Sequence, residues 1–356
     1  MISNRLAGIR RRMADRGING LLVTSRQNVF YLSGFDGSSG DLLITLDAAY
    51  ILCDFRYSQQ AKEQASLYIA MDVAKGIYTV IGSILANHGI THLGIEDREL
   101  SLAAYNGMRK LLAPVLLVPV ADMISSMRIV KDDIEIEQLA TAAKISDLAF
   151  ESVLGKIRAG VSETDIAAEI EYVMRKNGAS GPSFDTIVAS GANSAKPHGV
   201  AGGRKLENGD LVVMDFGCKY GGYCSDMTRT VAIGDITPKQ RNVYQMVLFT
   251  QLKMLHLVEA GRKCCDMDRI SRNVLASFGY AQYFGHSLGH GVGLDIHEAP
   301  SVSSKGEHIL APGMMVTVEP GVYLDGEFGV RIEDSVIIEE RGIRILSKST
   351  KELMIL

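Results

Sequence analysis

The sequence predicts a chain of two domains, an α/β domain followed by a larger α+β domain with an antiparallel sheet. Its 356 residues, 47 % of them apolar, are enough to bury an extensive core and to form about two domains of ordinary size. Residues 1–122 alternate helical patterns with short apolar runs that are typical of strands. Residues 130–356 contain longer alternating segments rich in Val, Ile and Thr, which favour a half-buried sheet.

The first domain is predicted to contain five strands separated by helices. The strands are placed at residues 21–24, 42–46, 50–53, 92–96 and 116–120. After Pro119 the strand pattern gives way to a helix, and Asp132 and Asp133 mark its start because acidic side chains stabilise the N-terminal end of a helix. The domain boundary is therefore predicted near residues 121–132.

The second domain is predicted to begin with two amphipathic helices. These are placed at residues 133–158 and 163–177, the second opening with Ser162 as N-cap and ending before Gly178. A further helix is expected at residues 238–259. Strands are expected within residues 210–231, 313–323 and 329–339.

The composition argues against several classes of partner. Net charge is -4, from 37 basic and 41 acidic residues without a block of like charge, so a nucleic-acid partner is not expected. The five cysteines form neither a disulfide framework nor a CxxC metal site, which suits a reducing compartment. Charges interrupt every long apolar run, so neither a membrane partner nor a signal peptide is expected. A cytoplasmic location is the expectation.

Two aspartates lie on a predicted β-hairpin in the segment LVVMDFGCKYGGYCSDMTRTVAI. A two-residue loop that begins at Tyr220 would place Asp215 directly opposite Asp226, with about 5 Å between Cβ atoms. A loop moved by one residue would pair Asp226 with Gly217 and would still leave both carboxylates on one face. Carboxylates buried that close together raise each other's pKa unless a cation lies between them. The pair alone also fits a solvated hairpin with two incidental acids, so further ligands must decide.

A glycine-rich segment, GHSLGHGVGLDIHEAP, contains three of the chain's eight histidines, His286, His290 and His297. Neutral imidazole is a good ligand for Mn, Co or Zn, and glycines let backbone and substrate approach closely. A lone histidine would more often be a hydrogen-bonded core or surface residue. The cluster therefore indicates a loop that lines a site.

Two glutamates on predicted strands supply further acidic side chains. In MMVTVEPGVY, alternation puts Glu319 on the same face as Thr317, and in GVRIEDSVII it puts Glu333 on the same face as Arg331. Either glutamate alone also fits a surface residue at a strand end. Together with the two aspartates they carry four negative charges, which two divalent ions would neutralise, with His290 as a fifth, neutral ligand.

These motifs resemble those of the Xaa-Pro peptidase family, which comprises aminopeptidase P and prolidase. The resemblance covers essentially the whole chain and rests on the ordered set Asp-x10-Asp, GHGxGxxxHE, VTVEPG and VRIED. It implies a pita-bread fold with a curved antiparallel sheet for the C-terminal domain and a creatinase/prolidase-like α/β N-terminal domain. It also implies a homodimer.

The resemblance implies a role for each site residue. Two divalent ions, Mn(II) first and Co(II), Fe(II) or Zn(II) as alternatives, would be held by Asp215, Asp226, His290, Glu319 and Glu333. Glu319 would also act as the general base that passes a proton to the leaving proline nitrogen. His198 and His297 would bind the substrate and donate hydrogen bonds to the developing oxyanion. His286 would shape the proline pocket, and Arg331 would orient a ligating carboxylate.

The implied function is hydrolysis of the bond between an N-terminal residue and proline in a peptide substrate. Microbial prolidases commonly place a cation just after the HExP segment to hold a dipeptide's carboxylate, whereas Ser301 stands there in this chain. An Xaa-Pro aminopeptidase is therefore favoured, with an Xaa-Pro dipeptidase (prolidase) as the alternative, and Lys305 could substitute for the missing cation. A metal-free creatinase-like hydrolase and a non-catalytic peptide-binding module are remoter alternatives, because both would lose the ligands that this chain keeps.

Two residues of the N-terminal domain have an expected role in the homodimer. Phe35 and Asp36, in NVFYLSGFDGSSG, would reach the active site of a neighbouring subunit. The alternative is that this segment contains only loop caps and packing residues.

Overall fold

The computed structural model describes residues 1–356, which divide into two compact units, Met1–Met127 and Arg128–Leu356. Each unit has its own sheets and its own hydrophobic core. No helix in either unit is long and apolar enough to cross a membrane.

The first unit is an α/β structure built on one six-stranded sheet. Its helices are α1 (Ile2–Asp15), α2 (Arg26–Ser33), α3 (Ser58–Gln64), α4 (Ile77–Asn87) and α5 (Leu102–Leu111), and the short α6 (Ser125–Arg128) spans the division between the units. Its strands are β1 (Gly20–Val23), β2 (Asp41–Thr45), β3 (Ala49–Cys53), β4 (Ile69–Asp72), β5 (His92–Ile95) and β6 (Leu116–Pro119).

The strands of this sheet lie in the order β4-β3-β2-β1-β5-β6. The three central strands β3, β2 and β1 pair antiparallel, and the outer strands join them in parallel. The predicted α/β class is confirmed, and all five predicted strands are present within one residue of the expected bounds. Strand β4 is an addition that the sequence analysis does not predict.

Phe35 is a core residue of the first unit. Its side chain is only 1 % exposed and packs edge-to-face against Tyr57, with 6.2 Å between ring centroids. Gly37 and Gly40 leave the space that the ring fills, since a Cβ at either position would lie within 2.8 Å of it. The expectation that Phe35 reaches a neighbouring subunit's site is wrong, because the ring is already enclosed. Asp36 lies at the surface, where its carboxylate accepts a hydrogen bond from Gln60.

The second unit is an α+β structure. Its helices are α7 (Asp133–Leu154), α8 (Glu163–Lys176), α9 (Pro238–Leu257) and α10 (Cys264–Ser277), with 3-10 turns at Gly191–Ala195 and Ala281–Tyr283. Its strands are β7 (Gly181–Pro182), β8 (Ile187–Ser190), β9 (Leu211–Phe216), β10 (Cys218–Tyr220), β11 (Tyr223–Cys224), β12 (Met227–Ala232), β13 (Gly289–Gly291), β14 (Glu298–Val302), β15 (Met315–Val318), β16 (Gly321–Leu324), β17 (Phe328–Arg331), β18 (Asp334–Ile338) and β19 (Ile343–Ile345).

Three helices of this unit begin with a capping box, which pairs backbone donors that a helix start leaves open. In each, the N-cap side chain and the side chain three residues on exchange hydrogen bonds with each other's backbone N–H; the pairs are Asp132 with Glu135 at α7, Ser162 with Asp165 at α8 and Thr237 with Gln240 at α9. The predicted N-cap at Ser162 is confirmed. Helices α7 and α9 end before the predicted residues, at Leu154 and Leu257.

The strands of the second unit pair antiparallel and form four sheets. Their orders are β11-β10-β7, β12-β9-β8, β14-β13-β15-β18-β19 and β16-β17. One face of the β9–β12 hairpin packs on α7 and α8, through a buried cluster that includes Phe150, Ile170, Met214 and Val231. Since side chains alternate along a strand, the opposite face of the hairpin carries Asp215.

Candidate metal centre

The β9–β12 hairpin places two aspartates on one face of the sheet. Thr228 lies opposite Asp215, so this register puts Asp226 across from Gly217. This is the second of the two registers that the sequence allows, and the carboxylates are diagonal neighbours rather than a direct pair. The strands approach so closely at Gly217 that a Cβ there would lie 1.8 Å from the carbonyl oxygen of Ser225.

Two glutamates reach the same place from the ends of other strands. Glu319 directly follows β15, and its Oε1 accepts a hydrogen bond of 3.0 Å from the hydroxyl of Thr317. Glu333 lies between β17 and β18, and its Oε2 accepts a hydrogen bond of 2.6 Å from the hydroxyl of Thr228. The backbone N–H of Glu333 also donates to the carbonyl of Thr228, at 3.1 Å. The hairpin thereby fixes both the backbone and the side chain of this glutamate.

His290 offers a free ring nitrogen to this acidic group. Its Nδ1 lies 3.1 Å from the carbonyl oxygen of Gly291, which can only accept, so Nδ1 carries the proton. Its Nε2 lies 3.5 Å from Asp226 Oδ2 and 3.4 Å from Glu319 Oε1. Burial lowers the pKa of His290, which keeps the imidazole neutral and leaves the Nε2 lone pair open for a metal ion.

Burial and mutual repulsion raise the pKa values of the acidic side chains. Desolvation, followed by the charges of Glu333 and Asp215, raises the pKa of Asp226 well above its usual range. Desolvation raises the pKa of Glu319 to about 8. Desolvation and the charges of Glu319 and Asp215 likewise raise the pKa of Glu333. A bound cation would relieve this repulsion and keep the carboxylates ionised.

The donor atoms fit divalent ions. Asp215 Oδ1 and Glu333 Oε1 are buried without a hydrogen-bond partner, although buried oxygens in proteins normally have one. Ligand atoms of Asp226, His290 and Glu333 all lie within 4.8 Å of one another, close enough to surround one ion. Carboxylate oxygen and imidazole nitrogen are donors that Mn, Fe, Co and Zn accept.

A cavity of about 490 Å³ contains the whole predicted set. The structure brings together along its wall all nine residues singled out in the sequence: His198, Asp215, Asp226, His286, His290, His297, Glu319, Arg331 and Glu333. Ser301 also lines the cavity, whereas Lys305 does not. The apolar part of the wall was not predicted from the sequence; it is formed by Phe184, Ile187, Pro197, Val200 and Ile296.

Arg331 links the β9–β12 hairpin, which carries Asp215 and Thr228, to Tyr323 on β16. Its guanidinium donates to Asp215 Oδ2 at 2.6 Å, to the hydroxyl of Thr228 at 3.0 Å and to the hydroxyl of Tyr323 at 2.7 Å. The Tyr323 hydroxyl in turn lies 2.8 Å from His286 Nε2. Thr228 and Tyr323 are functional candidates that the sequence analysis does not name. Thr228 could have been found, because it follows Asp226 by two positions and so shares its face of the hairpin.

Comparison with known proteins places these features in a family. Residues 137–340 match the family model described as metallopeptidase family M24, and residues 5–130 match that of the creatinase/prolidase N-terminal domain. A protein described as an Xaa-Pro dipeptidase from Pyrococcus horikoshii is 39 % identical, over 96 % of each chain. The solved structure of an Xaa-Pro dipeptidase from Bacillus anthracis has a TM-score of 0.98 and 41 % identity, over 100 % of each chain. That of an X-Pro aminopeptidase from Thermotoga maritima has a TM-score of 0.91 and 37 % identity, over 96 % of this chain and 98 % of the other.

The antiparallel sheets of the second unit, with acidic side chains and a histidine around one cavity, define a metal-dependent peptidase of the pita-bread fold. The chain belongs to metallopeptidase family M24, and its first unit is a creatinase/prolidase N-terminal domain. The family resemblance, the fold and the assignment as a peptidase enzyme are thereby confirmed.

Proposed function

We propose that this enzyme hydrolyses the peptide bond between an N-terminal residue and proline, with two divalent ions bound in the cavity of the second unit. The observation that supports this most is the convergence of four carboxylates and His290 Nε2 on one cavity. Relatives described as Xaa-Pro dipeptidases, at 39 % and 38 % identity, support the choice of an Xaa-Pro bond.

The proposed ligands of the two ions are Asp215, Asp226, His290, Glu319 and Glu333. When bound, divalent ions polarise a carbonyl group and lower the pKa of water, so that water becomes a nucleophile near neutral pH. Mn(II) is the proposed native metal because hard carboxylate oxygens dominate the donor set, and Co(II), Fe(II) or Zn(II) are alternatives.

Glu319 is the proposed general base. Its carboxylate lies at the cavity and is held on one oxygen by the hydroxyl of Thr317. Its role would be to take a proton from the attacking water and to deliver it to the proline nitrogen when the C–N bond breaks. The delivery is needed because the proline nitrogen can leave as an amine but not as an amide anion.

Three histidines are proposed to handle the substrate. His198 and His297 are exposed at the cavity, where their ring N–H groups can donate to the developing oxyanion. His286 differs, because its Nδ1 donates to the carbonyl of Ser287 and its Nε2 accepts from Tyr323. Burial lowers the pKa of His286 to about 3, so the ring is neutral. With both nitrogens engaged, His286 would shape the pocket rather than transfer a proton.

Dipeptides are the proposed substrates, because two of the relatives and the Bacillus anthracis structure are described as Xaa-Pro dipeptidases. This reverses the preference for an aminopeptidase drawn from Ser301. One observation still favours longer peptides. Arg331 is the only arginine or lysine lining the cavity, and its guanidinium is bound to Asp215, Thr228 and Tyr323. The cavity wall therefore has no second cation that could hold a dipeptide's carboxylate. An Xaa-Pro aminopeptidase therefore stays the second candidate.

The test compares Xaa-Pro with Xaa-Pro-Yaa peptides after loading with Mn(II). The proposal predicts release of the N-terminal residue, with a higher kcat/KM for the dipeptide. A higher kcat/KM for the tripeptide would establish the aminopeptidase instead. Absence of release from every proline peptide, with peptide binding retained, would support a non-catalytic binding module. The homodimer and the cytoplasmic location stay predictions from the sequence.

A further inference from the structure

The loop that carries His198 has an exposed tip and buried stems. The loop, residues 190–204, begins at the end of β8, and its returning stem passes the first turn of α8. Lys196, His198 and Val200, near the tip, are exposed. The tip contacts the centre through the carbonyl of Pro197, which accepts a hydrogen bond of 3.2 Å from Arg331. Because an exposed tip has few contacts of its own, its shape depends on how the stems are fixed.

Glu163, the first residue of α8, holds both stems of this loop. Its side chain is fully buried, at 0 % exposure. Its Oε1 accepts hydrogen bonds from the backbone N–H of Ser190 at 2.8 Å and from the Ser190 hydroxyl at 2.7 Å. The side-chain amide of Asn193 donates to the same oxygen at 3.3 Å. On the returning stem, the backbone N–H of Gly202 donates to Oε2 at 3.2 Å.

The N-terminal cap of the helix is made by other side chains. The Ser162 and Asp165 capping box already serves the N-terminus of α8, and the oxygens of Glu163 are directed across to the loop. Arg204, at the end of the returning stem, donates to the Ser190 hydroxyl and to Asp210, both at 2.6 Å. A buried carboxylate without sufficient donors is costly, so this set of donors holds a single arrangement of the two stems.

We propose that Glu163 is a positioning residue, which fixes the stems of the His198 loop and thereby holds His198 where it reaches the substrate. The inference rests on the proposed function, since it assumes that His198 contacts substrate. Glu163 does not line the cavity, so its effect on the reaction passes through the loop.

The test is Glu163→Gln, which keeps the size of the side chain but replaces one acceptor oxygen with an NH2 group. We expect kcat/KM for an Xaa-Pro substrate to fall by about 10²-fold, the scale of loss for a catalytic group misplaced by about 1 Å. The content of bound Mn(II) should not change, because none of the proposed ligands is altered. Hydrogen exchange should accelerate in residues 190–204 relative to the rest of the second unit.

Asp147→Asn is the matched control. Asp147 is also a buried acid, 7 % exposed, and it accepts hydrogen bonds from the backbone N–H groups of Lys348 and Ser349, away from the cavity. This variant should lose stability without losing kcat/KM and without faster exchange in residues 190–204. Equal losses of activity in the two variants would overturn the inference, because Glu163 would then act through general stability.

A double-mutant cycle separates positioning from stability. In a His198→Ala background, Glu163→Gln should cause little further loss of kcat/KM, because its route to the substrate is already gone. A fully additive loss would overturn the inference. If Glu163→Gln does not fold, Ser190→Ala removes one donor and should give a smaller loss that is again absent in the His198→Ala background. Wild-type protein that cleaves no proline peptide would refute the proposed function, whereas the exchange measurement would still report whether Glu163 fixes the loop.

Discussion

At the residue scale, one backbone contact decides which nitrogen of His290 can bind a cation. The carbonyl of Gly291 accepts a hydrogen bond from the protonated Nδ1, and Nε2 is left facing Asp226 and Glu319. Hydrogen bonds also orient two of the carboxylates: the hydroxyl of Thr317 donates to Glu319, and the hydroxyl of Thr228 donates to Glu333. Groups of this kind fix the ligands before an ion arrives, which lowers the cost of organising the site.

Glu319→Gln tests the proposed general base. Glutamine keeps the shape of the side chain and one oxygen ligand, but it cannot accept a proton. We expect kcat on an Xaa-Pro substrate to fall by about 10²- to 10⁴-fold. Glu327→Gln is the control, since that exposed glutamate is bound only to Lys239 at the surface, and it should behave as wild type. Wild-type kcat in Glu319→Gln would remove Glu319 from the chemistry.

Arg331→Lys tests the link that Arg331 makes between the β9–β12 hairpin and Tyr323. A guanidinium can donate to Asp215, Thr228 and Tyr323 at once, whereas an ammonium group is a point charge on a flexible stem. We expect activity or metal affinity to fall by about 10- to 100-fold. Steady-state kinetics with metal analysis would measure both. Arg269→Lys, at an exposed pair with Asp266, should have no effect, and an equally small effect at Arg331 would contradict this account.

At the element scale, the register of the hairpin could have been predicted completely. The turn is Gly221–Gly222, with Tyr220 paired to Tyr223, and both glycines have positive φ, 56° and 86°. Two-residue turns of this kind need positive φ at both positions, which only glycine adopts freely. Placing the loop on the Gly-Gly pair, rather than starting it at Tyr220, selects the observed register.

Gly217→Ala tests whether this hairpin sets the geometry of the centre. A Cβ at Gly217 would lie 1.8 Å from the carbonyl oxygen of Ser225, the residue before Asp226. We expect a loss of about 1–3 kcal/mol in the free energy of unfolding of the metal-free protein, together with weaker Mn(II) binding. Gly155→Ala is the control, because its Cβ would meet no atom within 4 Å and its φ is -70°. Denaturant unfolding should show a change of at most about 0.5 kcal/mol there, and equal effects at the two glycines would contradict this account.

Strand β4 and helix α10 are among the elements that the sequence did not predict, and each has a physical reason. Strand β4 is a four-residue edge strand whose side chains are exposed or half-buried, so no apolar alternation marks it. Helix α10 follows Lys263, which makes no side-chain cap, so the usual signal of a helix start is missing. By contrast, α8 opens with a capping box, and its start was predicted at the right residue.

At the scale of the whole molecule, the centre depends on contacts that are distant in sequence. Asp215 and Glu333 are joined through Arg331 and Thr228, across more than a hundred residues. Residue types and spacing predict a set of candidate metal ligands, and the family resemblance predicts that they meet. Neither predicts the apolar wall of the cavity or the bond from Tyr323 to His286, because those depend on how separate strands pack.

Removing metal should destabilise the enzyme more at high pH. The pKa of Glu319 is about 8 in the folded metal-free protein, against an ordinary value of 4.5. The stability that its proton contributes is therefore fully present below pH 4.5 and is lost as pH rises through 8. Chelated protein should have a lower Tm at pH 8 than at pH 6, and saturating Mn(II) should raise Tm more at pH 8. A gain on Mn(II) addition that is the same at both pH values would contradict the raised pKa.

We propose that one cavity of the second unit holds two divalent ions. Crystals of the Mn(II)-loaded protein, measured for anomalous scattering at the manganese edge, test this most directly. We expect two peaks per chain inside the cavity, close to the carboxylates of Asp226 and Glu333, with one of them beside His290 Nε2. Peaks located elsewhere on the chain, or a cavity without any peak at saturating Mn(II), would contradict it.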